Sequence, residues 1–351
     1  ALATGVPHNF WAVSWFRFLV GIGVGGSYPL CATLSASTKA RQTNVRHGFL
    51  QTLAVFSSQG FGLVLANAVA LLSVAHVTEE PINYHSSWRI CSGIGAVLAL
   101  FALTLFLQVP EGPRTSAGSA HNTLQVIVDN RWKLMGTGGS WFLFDIMFYA
   151  NSLFTSKVLQ LVFGKGGDLV TIFKHNLLLT IVPLLGFAVA GAYLWFTNRS
   201  IKALQIFGFA GMTITYFLMA LALDHIETQK WLFLVLYMLT FVFANAGPNA
   251  TTFILPTFVF DESVRSTCHG FSAAAGKVGA VLGSSAMDPM LNAYGLRAVF
   301  YACGSIGVLG LLVTVFFVKT EAEGTSYRYA LISPSDPEAD ASKETGQGTD
   351  M

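Results

Sequence analysis

The chain has 351 residues, 53% of them hydrophobic and 11% charged, with a formal net charge of +2. Soluble domains carry roughly 25% charged residues. This composition, with a mean hydropathy of +0.57, excludes an ordinary water-soluble globule and makes the lipid bilayer the first expected partner. No basic patch is dense enough to suggest nucleic acid.

Nine apolar runs follow one another, at about 9–36, 48–75, 88–109, 134–163, 170–197, 201–223, 231–259, 266–291 and 296–318. Most exceed the roughly 20 residues that a helix needs to cross a bilayer, so an all-α polytopic membrane protein is expected. The chain starts at Ala1 and enters the first run without a signal-peptide pattern, and an N-terminal portion is expected to be missing. Basic residues follow the first run (Lys39, Arg41, Arg46), the third (Arg114, Arg131, Lys133) and the fifth (Arg199, Lys202), whereas residues 76–87 contain none. The positive-inside rule then puts those basic loops and the C-terminus in the cytoplasm and residues 1–8 outside. Residues 320–351 are rich in Ser, Glu, Asp, Gly and Thr and read as a disordered tail. Asn198 and Asn249 head glycosylation sequons, one on the cytoplasmic side and one inside a span, so both are discounted.

A weak repeat relates the first and seventh runs. The first passes from Tyr28-Pro29 through a basic loop to Arg46-His47-Gly48, and the seventh passes from Asn249 and Pro256 to Arg265-Ser-Thr-Cys-His269-Gly270. A separation of six spans suits two six-helix halves around a midplane site, with three spans preceding Ala1. The chain then divides into a remnant of the N-terminal half (1–109), a cytoplasmic linker (110–133), a C-terminal half (134–319) and the tail.

Polar residues within these runs are the candidate site. Asp145 lies between Trp141 and Tyr149 at spacings of four, which places all three on one helix face. A carboxylate at the bilayer centre costs about 2.5–3.5 kcal/mol and is read as functional by default; the alternative is a purely structural ion pair. Lys277 is a lone cation among small residues, about twelve past Arg265, either a partner for Asp145, a binder of an anion, or a lysine snorkelling to the membrane edge. Gly21, Gly23, Gly25 and Gly26 either pack one helix closely on another or leave a groove beside Tyr28. Gln59 and Asn249 either meet a ligand or join helices, and Arg17 needs a partner of its own. Cys31, Cys91, Cys268 and Cys303 lack metal-ligand spacing and read as small buried apolar groups. No zinc-protease, P-loop or nucleophile-elbow motif is present, so no enzyme, metal or cofactor is expected.

At these residues the chain resembles the proton-coupled inorganic phosphate symporters of the major facilitator superfamily, the fungal and plant plasma-membrane type. The family's fourth-helix pattern is matched by Arg17-Phe18 and Gly21 through Leu30, its fifth-helix Gln by Gln59, and the inter-half Pro-Glu-x-Pro-Arg by Pro110 through Arg114. The seventh-helix Trp-x3-Asp-x3-Tyr falls on Trp141, Asp145 and Tyr149, the tenth-helix Gly-Pro-Asn on Gly247–Asn249, and the eleventh-helix motifs on Arg265–Gly270 and Gly276–Ala280. The resemblance implies a major facilitator fold holding helices four to twelve. It also implies that Tyr28, Gln59, Trp141, Asp145, Tyr149, Asn249 and Lys277 surround inorganic phosphate, with Asp145 exchanging the coupled proton. Arg17, the four glycines, Arg46 and Arg265 would serve packing or gating. Three family acids are replaced, by Ser27, Ser37 and Phe258. These losses keep two rivals open: a carrier of another organic anion or organophosphate, and a phosphate sensor without flux.

Overall fold

The computed structural model describes residues 9–37, 45–75, 85–108, 123–164, 168–197, 200–261 and 263–318, and among them every regular element is helical. In chain order these are α1 (Phe10–Ser37), α2 (Val45–Ala75), α3 (His85–Phe106), α4 (Thr123–Asp129), α5 (Arg131–Phe163), α6 (Leu169–Phe196), α7 (Ile201–Ala222), a 3-10 turn at Leu223–His225, α8 (Ile226–Ala246), α9 (Pro248–Val259) and α10 (Arg265–Phe317). The loop after α1, residues 110–122 of the expected linker and the tail lie outside the described residues. In hydrocarbon a backbone amide has no water to bond, so an apolar run satisfies itself as a helix even where it contains proline. Pro29, Pro183, Pro256 and Pro289 all lie inside helices.

Two helix breaks matter for the site. At 53 residues, α10 would be about 80 Å long if straight, against a hydrocarbon core of about 30 Å. It breaks at Gly295 (φ 78°, ψ 173°), so its two arms make the eighth and ninth crossings expected from the apolar runs. That conformation is open essentially to glycine alone. Gly295→Ala is expected to cost about 1–3 kcal/mol, read as a lowered thermal unfolding midpoint of the purified protein. The second break lies inside the run read as 231–259, which remains one crossing, Thr228–Val259. α8 begins earlier, at Ile226, with non-helical backbone at Gln229, and ends at Gly247 (φ −115°, ψ −109°), where α9 starts on Pro248. Proline pushes the preceding residue out of the helical region and has no N–H to continue the ladder. α4 is also absent from the sequence reading, because one seven-residue element is too short to show a period.

The later helices carry the core. Only 6%, 11% and 6% of the α1, α2 and α3 spans are buried, against 39–50% for the later crossings. α10 packs on α5 and α7, α8 on α6 and α7, and α9 against α5 and α7. α2 lies on α6, and α1 reaches α9 and α10. The periphery is Phe, Leu, Ile, Val and Trp, including Phe18, Ile22, Leu98, Phe101, Leu178, Ile214 and Val281, all exposed. The interior holds hydrogen-bonded polar side chains. Gln205 of α7 donates to Thr314 of α10 (2.9 Å) and accepts from Thr251 of α9 (2.7 Å). Asn151 of α5 donates to Thr240 of α8 (2.9 Å). A greasy exterior around a polar seam is the arrangement of an integral membrane protein. The cysteine reading is half corrected: Cys268 and Cys303 are buried, but Cys31 and Cys91 are exposed, because α1 and α3 bury so little of their surface.

Candidate functional site

The site is built on the seam between α5 and α10. Gly276, Gly279 and Gly283 recur on one α10 face. A Cβ on Gly276 would come 2.5 Å from the Trp141 ring. Those on Gly279 and Gly283 would collide with the Phe142 and Ile146 carbonyl oxygens. Missing side chains thus let the two backbones touch, and this contact delivers Lys277 to the Asp145 face of α5.

Lys277 Nζ lies 3.4 Å from Asp145 Oδ2 and 3.4 Å from the Tyr149 hydroxyl. It also stands 5.2 Å from the Tyr28 ring centre and 5.4 Å from that of Tyr149. Tight ammonium–carboxylate contacts run about 2.7–2.9 Å, so the ammonium is held loosely between two oxygens and two aromatic faces. The Asp145 side chain is 5% exposed and that of Lys277 43%. The cation is therefore the more open of the two groups, and the acid stands behind it.

Aromatic rings wall this pair. Tyr28 lies 6.2 Å from Trp141 and 5.9 Å from Phe253, ring centre to ring centre. Trp141 and Phe253 each set an edge against His269, at 5.8 and 5.5 Å. His269 is fully buried, with Nε2 3.0 Å from the Phe253 carbonyl. A carbonyl only accepts, so Nε2 carries the proton. A second polar group lies beyond Phe253: Asn249 Nδ2 donates to Gln59 Oε1 (3.2 Å) and to Asn245 Oδ1 (2.7 Å). Phe56, one turn from Gln59, stacks on Phe253 at 4.6 Å. The seven expected site residues thus fall into two contacting groups bridged by Phe253.

The remaining expected positions lie elsewhere. Arg17 is exposed on α1, about 16 Å along the helix from Tyr28. Gly21, Gly23, Gly25 and Gly26 have nothing within 4 Å of a built Cβ, so no helix among the described residues packs on them. Arg265 Nε donates to the Phe260 carbonyl at the end of α9 (3.2 Å), a favourable place for a cation. The Arg46 and Ser37 side chains lie outside the described residues. The Ser27 hydroxyl turns back to the Val24 carbonyl (2.8 Å). Phe258 meets Phe49 of α2 edge-on at 4.3 Å, both buried, so an aromatic contact joins the two helices where the resemblance would put an acid.

Asn245, Phe253 and His269 were not legible as site residues. Asn245 is four residues before Asn249, a spacing that signals a shared face. For Phe253 and His269 the signal was only their place inside the motifs, because their role comes from contacts between separate helices.

With this geometry in hand, the profile of the family described as sugar (and other) transporter matches residues 1–120 and 145–329. The chain belongs to that family. Among its relatives, the probable inorganic phosphate transporter 1-6 of Arabidopsis thaliana is 32% identical over 375 residues, covering 89% of this chain and 71% of the relative. The low affinity inorganic phosphate transporter 3 of Petunia hybrida is 30% identical, covering 88% and 70%. The glycerophosphoinositol transporter 1 of Saccharomyces cerevisiae is also 30% identical, covering 91% and 62%. A solved structure of the proton:xylose symporter XylE bound to 6-bromo-6-deoxy-D-glucose superposes with a TM-score of 0.70 at 17% identity, covering 88% of this chain and 71% of that one. The fold is that of the major facilitator superfamily, and the relatives the chain matches are transporters.

Proposed function

We propose that the protein carries inorganic phosphate together with protons by alternating access, in the plasma membrane, with its C-terminus cytoplasmic. In this reading residues 1–109 and 134–319 belong to the two halves that rock about the site. The observation that carries it is the Lys277 ammonium, loosely held between Asp145 and Tyr149 at 3.4 Å each. With Asp145 ionised, its charge cancels that of Lys277 and competes with an incoming anion. Protonating Asp145 releases the ammonium to face the anion, so proton and anion each favour the other's binding. Tyr28, Tyr149, Gln59 and the Trp141 indole supply neutral hydrogen-bonding groups around a phosphate, while Asn249, its Nδ2 committed to Gln59 and Asn245, orients the Gln59 amide toward it. Phosphate relatives at 30–32% identity support the same cargo.

The test is labelled-phosphate uptake at acidic and near-neutral pH in cells deficient in phosphate transport. Acid-stimulated uptake is expected, and its absence from surface-expressed protein would sink the reading. Trp141→Phe keeps the aromatic wall but loses the indole N–H. One hydrogen bond of about 1 kcal/mol corresponds to roughly a five-fold change, so KM for phosphate is expected to rise about that much with Vmax nearly unchanged. A phosphate ester is the second reading, favoured by the yeast glycerophosphoinositol relative and by the small, uncharged Ser27 beside Tyr28. Inhibition of phosphate uptake by glycerophosphodiesters stronger than by unlabelled phosphate would select it.

A further inference from the structure

We infer that Asn245 is a positioning residue that sets the polarity of the anion site through Asn249 and Gln59; the anion itself rests on the function proposed above. A carboxamide has a donor end and an acceptor end, and which end faces a ligand decides whether an anion is attracted or repelled. Here that choice is fixed from a distance. Asn245 is 2% exposed, and its Nδ2 donates to the Phe241 carbonyl at 2.8 Å. That carbonyl belongs to the backbone and only accepts, so Asn245 cannot turn over without losing the bond. Its Oδ1 must therefore face Asn249, and it accepts from Asn249 Nδ2 at 2.7 Å. The same Nδ2 donates to Gln59 Oε1 at 3.2 Å.

With Oε1 committed to Asn249, the Gln59 N–H2 group points away from it, and Gln59 is only partly buried. Asn249 therefore donates both ways, back to Asn245 and outward to Gln59, and the network ends on the Gln59 donors, the polarity an oxyanion requires. It also crosses from α8 through α9 to α2. The break at Gly247 falls between Asn245 and Asn249, whose spacing of four keeps their side chains adjacent across it.

The test is a double-mutant cycle of Asn245→Leu and Gln59→Leu on the detergent-purified full chain. Leucine keeps the approximate volume and removes both hydrogen-bonding ends. In phosphate titration calorimetry, each single variant is expected to weaken binding about five- to ten-fold, and the double variant no more than the worse single, as coupled neighbours behave. In uptake, Asn245→Leu is expected to raise KM with little change in Vmax, a split that general loosening of the fold would not give. Multiplying single effects would overturn the inference. A second arm uses no ligand: thermal midpoints of the same four proteins are expected to be non-additive, and additive shifts would overturn the inference. If wild-type protein binds no phosphate, the proposed cargo fails while the thermal cycle still decides the role of Asn245. Asn245→Ser replaces Asn245→Leu in both arms if the latter does not fold.

Discussion

Asp145→Asn is expected to abolish proton-driven phosphate uptake while phosphate binding survives. The substitution keeps the shape of the carboxyl group and removes both its charge and its exchangeable proton. Lys277, 3.4 Å away, is then never neutralised. At that separation the ionised pair attracts by on the order of 5 kcal/mol at an effective dielectric near 20, less where water reaches the half-open lysine. An anion competes with that attraction in the native protein and escapes it in the variant. Concentrative uptake should fall at least about a hundred-fold, the scale on which essential proton-transfer groups act. Phosphate binding to the purified variant should persist and lose the dependence on pH that Asp145 imposes. Uptake close to wild type would refute the role given to Asp145.

The second large effect is structural. Gly279→Val is expected to prevent α5 and α10 from docking, because its Cβ would occupy the space of the Phe142 carbonyl oxygen. An overpacked side chain facing other side chains costs about 1–3 kcal/mol. A backbone carbonyl cannot swing aside, so the two helices must separate, and Trp141 and Lys277 separate with them. Folded protein recovered in detergent should fall roughly ten-fold or more, since each 1.4 kcal/mol is a factor of about ten. Gly270→Ala is the control on the same helix, because nothing lies within 4 Å of its built Cβ, and its recovery should match wild type. Equal losses from both substitutions would show that glycine in α10 is needed for something other than this seam.

The helical crossings were legible because an apolar run in a bilayer has one local solution, and the gap before residue 296 anticipated the turn at Gly295. Of the site, the Trp141–Asp145–Tyr149 stripe followed from the helical period alone. The approach of Lys277 to it did not: it depends on Gly276, Gly279 and Gly283 meeting α5, a register between segments some 130 residues apart. The break at Gly247 was hidden because Gly and Pro are tolerated inside membrane helices, so their presence does not locate an end. Asn245 lay in plain view as a polar residue in an apolar run, but its meaning is a direction of hydrogen bonding, which a sequence does not record.

The glycine seam has a consequence for what the membrane voltage can act on. Trp141, Asp145, Tyr149 and Lys277 stand on α5 and α10, whose backbones touch, while Tyr28 and Gln59 come from α1 and α2. In the transport cycle proposed above, a rocking motion that parts these two groups carries the carboxylate and the ammonium as one body, with their separation unchanged. The side chains that α1 and α2 bring to the cargo are a phenol and an amide, both uncharged. No charge of the site is then pulled away from its partner during the stroke. A potential of 100 mV exerts about 2.3 kcal/mol on each elementary charge carried across, and here that work falls on the cargo.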